Sequence, residues 1–489
     1  MPADRNLACL AERALQRNGD YESLWFEGRW YRSGELLGRA RRVAAGLTEL
    51  GVAAGDRVVV FAANSPEVPV LYNAIWRAGA VVTPAIFLLP PAELRHILMD
   101  AEARLVVASP EFADVAAGVT EIAVVSTDEL PEADAAPIVE RDDDDLAALM
   151  YTGGTTGRAK GVMLSHANLW NVGKATQDAG YVPGVVRGLG PLPLSHSYGL
   201  LVTVVGLHSP QPNVSVLMRW FAPEPFLQLV QQHGIQITAV VPSMLQLLLA
   251  EPLEDYDLST LRYVACGAAP LPRELGSELQ RRLPHVEVRE GYGLTETSGL
   301  VSTNPPGRGR LGSVGLPAPG VELRVVDDAD RELPAGEVGE LCCRSPFLMQ
   351  GYWRAPELTA EAVRGGWFHT GDLGYVDEDG YLYVVDRKKD LIIRGGFNVF
   401  PRDVEDALLE HPAVALAGVV GRPDERHGEE VVAFVSLRNG GDVAAEDLVA
   451  FAKQRIGGYK YPREVRIVSD VPLTPVGKVD RKALRERVR

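Results

Sequence analysis

Cysteine is scarce in this chain, with four in 489 residues. Cys9, Cys266, Cys342 and Cys343 form no C-x-x-C pair and no metal-ligand spacing, which excludes a disulfide framework or a zinc module and fits reduced thiols. Positive charge is also short: 49 Lys and Arg stand against 65 Asp and Glu, for a formal net charge of −16. No basic block interrupts this balance, so a nucleic-acid partner is not expected. Long apolar runs are absent. The best, AVVTPAIFLLPP at 80–91, is broken by prolines and falls short of the roughly 18 residues of a membrane span. The first residues, MPADRNLACLAERAL, carry charges where a signal peptide needs an apolar stretch, so a cytoplasmic protein without a membrane span is expected.

What is present describes a folded protein of several cores. Apolar residues make up 46% and charged residues 23%, and the length exceeds what one core accommodates. Helices are expected at 4–18 and at 33–50, the second with Ser33 as N-cap. Beyond them DRVVVFAAN, AVVTPAI and RLVVAS read as strands separated by helices, the rhythm of a parallel α/β sheet. Residues 131–145 are acidic and read as a solvated connector. The α/β rhythm resumes from 166 to about 300. After about 310, alternating segments with Gly and Asp-Gly turns predict antiparallel hairpins, DEDG at 377–380 among the turns. From 391 a small α+β unit begins, with Pro401 in the first turn of a helix. The fold class expected is α/β: a large domain of parallel sheets plus a β-rich part at 1–385, a hinge at 386–390, and a mobile α+β domain at 391–489.

Five stretches carry chemistry. YTGGTTGRAKG (151–161) packs glycines, threonines and a lysine between two apolar segments. Its backbone N–H groups, hydroxyls and Lys160 suit a phosphate cradle; the alternative is a flexible surface loop. The spacing is not that of the P-loop, because Arg158 and Ala159 separate Gly157 from Lys160. GYGLTETSG (291–299) offers an aromatic face in Tyr292, hydroxyls, and Glu296 as an oxygen ligand for a hard cation, or else a polar loop. Asp372 in HTGDLG suits paired ribose hydroxyls, or closes an Asx-turn. DRKKDLIIRGGFNVFP (386–401) is a charged hinge candidate or an exposed linker. Lys478 in TPVGKVDR is a lysine on a Gly-containing loop, by itself most simply an exposed side chain.

Together and in this order, these segments resemble the adenylate-forming superfamily, and most of all its acyl-CoA synthetases and 4-coumarate-CoA ligases. The resemblance covers essentially the whole chain. It implies that Thr152, Gly153, Gly154, Thr155, Thr156, Gly157 and Lys160 hold the pyrophosphate end of ATP. Gly267, Ala268, Ala269, Glu290, Gly291 and Tyr292 would surround the adenine, Thr295 the α-phosphate, and Glu296 a magnesium ion. Asp372 and Arg387 would bind the ribose. Lys478 would bridge the acyl carboxylate and the α-phosphate, Lys389 would be the hinge, and Gly395 and Gly396 would belong to the loop that replaces Lys478 during thioester formation. Gly153 and Ala159 depart from the usual Ser and Pro of the first motif.

The resemblance also bears on the substrate. PLPLSHSYGL (191–200) matches the segment beside the acyl site, so His196 is an active-site candidate, the alternative being a packed core histidine. VVPSML (240–245) and GLVS (299–302) would supply apolar walls, and Trp220 would be a tunnel gate or core. No Asp near 191–200 is placed to pair an amino-acid ammonium, and no extra arginine is obvious for a second carboxylate. A fatty or aryl acid is therefore expected, with coenzyme A as acceptor or, alternatively, the phosphopantetheine thiol of a carrier protein.

Overall fold

The computed structural model describes residues 5–152, 158–438, 441–474 and 478–488. Among them the strands form four sheets. The first runs, edge to edge, Gly351–Tyr352, Lys160–Ser165, Leu146–Thr152, Val81–Pro84, Arg57–Phe61, Ala103–Ala108 and Val124–Ser126. From Leu146–Thr152 to Val124–Ser126 its strands are parallel, and the central ones are almost wholly apolar (RVVVF, ARLVVA), as burial on both faces demands. Trp76 and Tyr72, fully buried, lock helix Glu67–Arg77 onto it, and the Trp76 indole donates to the Ala147 carbonyl at 3.0 Å. The second sheet runs Leu316–Pro317, Ser302–Thr303, Glu287–Tyr292, Tyr263–Cys266, Ile237–Val240, Arg187–Gly190, Val214–Leu217, Glu22–Phe26 and Arg29–Arg32. From Glu287–Tyr292 to Glu22–Phe26 it is parallel, so the loops after 266 and 292 leave from the same, carboxyl end.

The third sheet is antiparallel and built on the long strand Trp367–Val376, with Leu382–Arg387 beside it. The expected DEDG turn joins these two: the Asp377 carboxylate accepts from the Asp379 and Tyr381 amides at 3.0 and 2.9 Å. The fourth sheet, from Ile392 onward, has its own core around Val404, Val419, Val431 and Leu448. Helix Pro401–Leu409 starts on Pro401 as the sequence predicts.

Two expectations change. Ser33 is the first residue of its helix rather than the cap; its hydroxyl donates to the Gly19 carbonyl and accepts from the Tyr21 amide, tying the helix to the preceding turn. The acidic segment 131–145 is anchored as well as solvated: Glu132 pairs Arg39 and Arg42 at 2.9 and 2.6 Å, and the Val139 amide bonds the Arg77 carbonyl. No helix among the described residues is long and apolar enough to cross a membrane.

The fourth sheet's body is pinned to the rest at few points. Gln246 donates to the Ala415 carbonyl at 2.7 Å. Arg402 reaches from the helix Pro401–Leu409 to the carbonyls of Val384 at 2.8 Å and Leu271 at 3.3 Å, while its amide bonds Asp386. Residues 386–390 are only partly exposed: Asp386 and Asp390 are buried, Lys388 and Lys389 are exposed, and 388–390 form a single tight turn. Arg402→Ala removes two of these cross-body bonds without emptying a core. Amide hydrogen exchange at 386–390 is therefore expected to speed up at least severalfold while the core strand Gly428–Leu437 keeps its protection; unchanged exchange at 386–390 would contradict this.

Candidate active site

A cleft of about 2200 Å³ opens where the carboxyl ends of the two parallel sheets, the antiparallel sheet and the tail of the chain face each other. Strand pairing delivers the first residues to it. Thr152 and Lys160 stand opposite each other in the ladder between Leu146–Thr152 and Lys160–Ser165. Residues 153–157, the centre of the expected phosphate cradle with Gly153, Gly154, Thr155, Thr156 and Gly157, lie outside the described residues. Its shoulder is fixed from outside: His96 Nε2 bonds the Ala159 carbonyl at 2.9 Å, where the family's usual proline is missing. Lys160 lies 5.3 Å over the ring of Tyr352, whose hydroxyl donates to Glu296 Oε1 at 2.9 Å.

Glu296 sits in the single turn Thr295–Thr297, directly after strand Glu287–Tyr292. The turn fits because Gly293 has no side chain: a Cβ there would lie 2.2 Å from the Gly299 carbonyl oxygen. Thr297 closes it from inside, its hydroxyl accepting from the Leu294 amide. On the neighbouring strand, Gly267, Ala268 and Ala269 follow Tyr263–Cys266, with Ala268 held at φ 64°, a left-handed conformation that side chains resist. Glu290 accepts from the Gly312 amide at 2.7 Å, and burial pushes its carboxyl up to about 7.

Asp372 and Arg387 meet because the register of Trp367–Val376 with Leu382–Arg387 places them opposite each other. Arg387 Nε donates to Asp372 Oδ1 at 2.8 Å and the Tyr292 hydroxyl to Oδ2 at 2.6 Å, so one buried carboxylate is held from two elements. The Asx-turn alternative for Asp372 falls away, since Asp377 makes the turn. Burial first, then the Asp372 charge, raises the Tyr292 phenol well above its ordinary pKa, so it stays a donor.

The tail contributes Lys478, which lines the same cleft. Protein crowding first, then the Arg387 charge, lower its pKa, with Asp372 and Glu296 opposing. Its surface remains accessible, so this is the desolvation of a cleft and not of a core. The helix Arg481–Glu486 that follows is clamped: Arg481 bonds both oxygens of buried Glu405 at 2.8 and 2.7 Å, and Arg485 bonds Asp390 at 2.6 Å. Lys389 also lines the cleft, its pKa lowered to about 8 by burial and then by Arg387. Gly395 and Gly396, both at positive φ, are on the fourth sheet's body and do not line the cleft.

His196 caps helix Ser197–His208, its Nδ1 accepting from the Tyr198 amide at 3.3 Å, so the proton of the neutral ring sits on Nε2. It lines the cleft, and burial first and Lys478 second lower its pKa to about 4. Trp220 is neither core nor gate: it is 45% exposed, packs edge-on against Phe87 and Phe112, and does not line the cleft. Three contributors had no sequence signal: His96, Tyr352 and Arg289. Arg289 lines the cleft from the strand Glu287–Tyr292 with its guanidinium 3.8 Å over the Tyr263 ring, and it is already paired with Glu287, so it does not alter the expectation of no extra arginine for a second carboxylate.

A large cleft at the carboxyl ends of parallel strands, with a clamped Asp–Arg pair, an acidic turn held by Tyr352 and lysines from two bodies, fits an adenylate-forming enzyme. The chain belongs to the AMP-binding enzyme family: the family model matches residues 11–353, and that of the AMP-binding enzyme C-terminal domain matches 403–478. A feruloyl-CoA synthase of Amycolatopsis sp is 38% identical over 93% of both chains. The fatty acid–[acyl-carrier-protein] ligase ScoC of Streptomyces coeruleorubidus is 36% identical over 94% of this chain and 92% of its own. Among solved structures, ATP-bound MatB from Rhodopseudomonas palustris, 33% identical, superposes over 100% of this chain and 99% of its own with a TM-score of 0.91. The apo form of MatB, at the same coverage, gives 0.80. The superfamily and the α/β architecture expected from the five segments are borne out.

The His196 geometry sets a pH dependence. The unfolded chain takes up this proton near pH 6.5, the folded one only near 4. This contribution to stability is complete above about pH 6.5 and is lost as pH falls toward 4. His196→Asn is expected to flatten the fall in denaturation midpoint between pH 6.5 and 4; wild type and variant falling in parallel would contradict a ring that the fold keeps neutral.

Proposed function

We propose that the chain joins a carboxylic acid to ATP, giving an acyl-adenylate and pyrophosphate, and then transfers the acyl group to the thiol of coenzyme A. The observation that carries this is the convergence of Thr152, Lys160, Tyr292, Glu296, the Asp372–Arg387 pair and Lys478 on one cleft. In the first step a carboxylate oxygen attacks the α-phosphorus and the P–O bond to pyrophosphate breaks. Both partners are anionic, so cations must offset their repulsion. Lys478 spans the carboxylate and α-phosphate. Lys160 and Thr152, with residues 153–157, hold the leaving pyrophosphate. Thr295 contacts the α-phosphate. Gly267, Ala268, Ala269, Glu290, Gly291 and Tyr292 frame the adenine. Asp372 keeps a second lone pair on each oxygen for the ribose hydroxyls, beside Arg387. The neutral His196 donates from Nε2 at the acyl side.

Glu296 fits a magnesium ion: one oxygen accepts from Tyr352, which leaves the other for a hard cation. Bound there, magnesium would supply neutralising charge to the phosphates. In the second step the thiol sulfur attacks the acyl carbon and the bond to AMP breaks, with AMP keeping the bridging oxygen. Lys478 must leave for the thiol to enter. Its body, residues 391–489, is proposed to turn about Lys389 in the hinge 386–390, away from the large domain 1–385, and to present the Gly395–Gly396 loop instead. The better superposition on ATP-bound than on apo MatB supports reading this arrangement as the adenylating one.

The substrate proposed is a fatty or aryl acid. A carrier-protein phosphopantetheine is the second reading for the acceptor, favoured by the full-length similarity to ScoC. Unpaired thiols at Cys9, Cys266, Cys342 and Cys343 fit a cytoplasmic setting. Acid-dependent exchange of labelled pyrophosphate into ATP tests the reading over a panel of acids. Fatty or aryl acids should support exchange and amino acids should not, and the reverse pattern would sink the substrate class. Lys478→Ala should lower exchange at least about 100-fold, by removing a charge that acts in the transition state, yet spare thioester formation from supplied acyl-AMP. Equal loss of both steps would refute the proposed role of Lys478.

A further inference from the structure

Behind the adenine side, the second sheet presents a face of small residues. Val264 and Val288 point into the helix-covered core, so their neighbours Tyr263, Ala265 and Arg289 point to the opposite face. That face lines the cleft, where Gly190, Ala239 and Ala265 leave open space. Tyr198 enters from helix Ser197–His208, close enough for Tyr263 and Cys266 to act on its phenol electrostatically. Around Ala239 and Ala265 the wall is of small apolar residues, and Arg289 brings a charge to it. Ala265 and Arg289 are in register, and the Arg289 guanidinium lies on the Tyr263 ring.

Arg289 is 8% exposed. Its Nε and Nη2 both bond Glu287 Oε2, at 2.8 and 2.7 Å, and Glu287 Oε1 accepts from the Gly307 amide. Nη1 has no partner among the described residues, and Tyr263, whose ring carries the guanidinium, lines the same cleft. A buried donor without an acceptor is costly, and an apolar-walled pocket gains nothing from it unless a ligand supplies the acceptor. Arg289 stands three strand residues before Tyr292, roughly 10 Å behind the adenine side.

Resting on the reading of this cleft as the acyl site, we infer that Arg289, with Tyr263, recognises a neutral oxygen acceptor at the far end of the substrate acid. Neutrality follows from Glu287. It already cancels the guanidinium charge, so a second carboxylate would meet an anion with no free cation to offset it. The substrate class is thus a carboxylic acid carrying a keto, ether, amide or hydroxyl oxygen toward its far end, preferred over the plain fatty acid and over the diacid. Arg289 is a specificity residue here and touches none of the reacting atoms.

The test uses matched acids of about eight to ten carbons: the unsubstituted acid, the same acid with a keto group next to its terminal methyl, and the diacid of equal length. In the acid-dependent exchange assay the keto acid should exceed its parent at least about tenfold in kcat/KM, with the diacid lowest; a single satisfied buried donor supports that ratio. Arg289→Leu should bring the keto acid and its parent to within about twofold, with KM for ATP unchanged. Tyr263→Phe removes only a hydroxyl, guards against misfolding of the first variant, and should narrow the ratio in the same direction. Parent and keto acids reacting equally at every length, a keto preference that survives both substitutions, or a preferred diacid would each overturn the inference while leaving the adenylation reading intact. Exchange with none of the acids in this series or in the fatty and aryl panel would overturn both.

Discussion

In the proposed reaction two anions have to be brought into contact in this cleft, and the positive charges that line it reach it from different parts of the chain. Lys160 comes from a strand of the first sheet and is steered by the face of Tyr352. Lys478 comes from the tail, about 300 positions later, and is steered by the clamp of Arg481 on Glu405 and of Arg485 on Asp390. Arg387 is shared between Asp372 and the field around Lys478. Lowering the lysine's pKa is the physical cost of this placement, and it is tolerable because the charge faces an open cleft and not a sealed core.

The same geometry explains why so much of the connection between the bodies is polar. A large apolar interface would fix one arrangement. Here the joint is held by Arg402, Gln246 and buried Asp386, bonds that can be exchanged for water with little net loss. Asp386 and Asp390 are buried and both lie within 4.0 Å of Arg481, so the joint itself is kept in a defined shape.

Much of this was legible in the sequence, for identifiable reasons. Apolar runs such as RVVVF and ARLVVA can only be two-sided buried strands, and Gly and Asp-Gly turns mark the antiparallel sheet. Asp372, Tyr292, Glu296 and Lys478 were recognisable because each lies in a compact motif. What escaped notice are contacts made across long sequence distances by residues of ordinary type. Tyr352 supports Glu296 from 56 positions away, and His96 supports Ala159 from 63. Arg289 reads as one more charge in a strand until the register sets it against Ala265 and the ring of Tyr263. The acidic stretch is solvated as its charge suggests, and only the fold shows that Glu132 meets Arg39 and Arg42; in DRKKD only the fold shows that Asp386 and Asp390 face Arg481.

In the proposed reaction an oxygen of the acid becomes bonded to phosphorus. The most direct measurement supplies a carboxylic acid labelled with ¹⁸O in both carboxylate oxygens, lets the enzyme turn over with ATP and coenzyme A, and weighs the AMP by mass spectrometry. Passage through an acyl-adenylate leaves one ¹⁸O in AMP for each thioester formed. AMP without label, or ADP and phosphate as the nucleotide products, would contradict it.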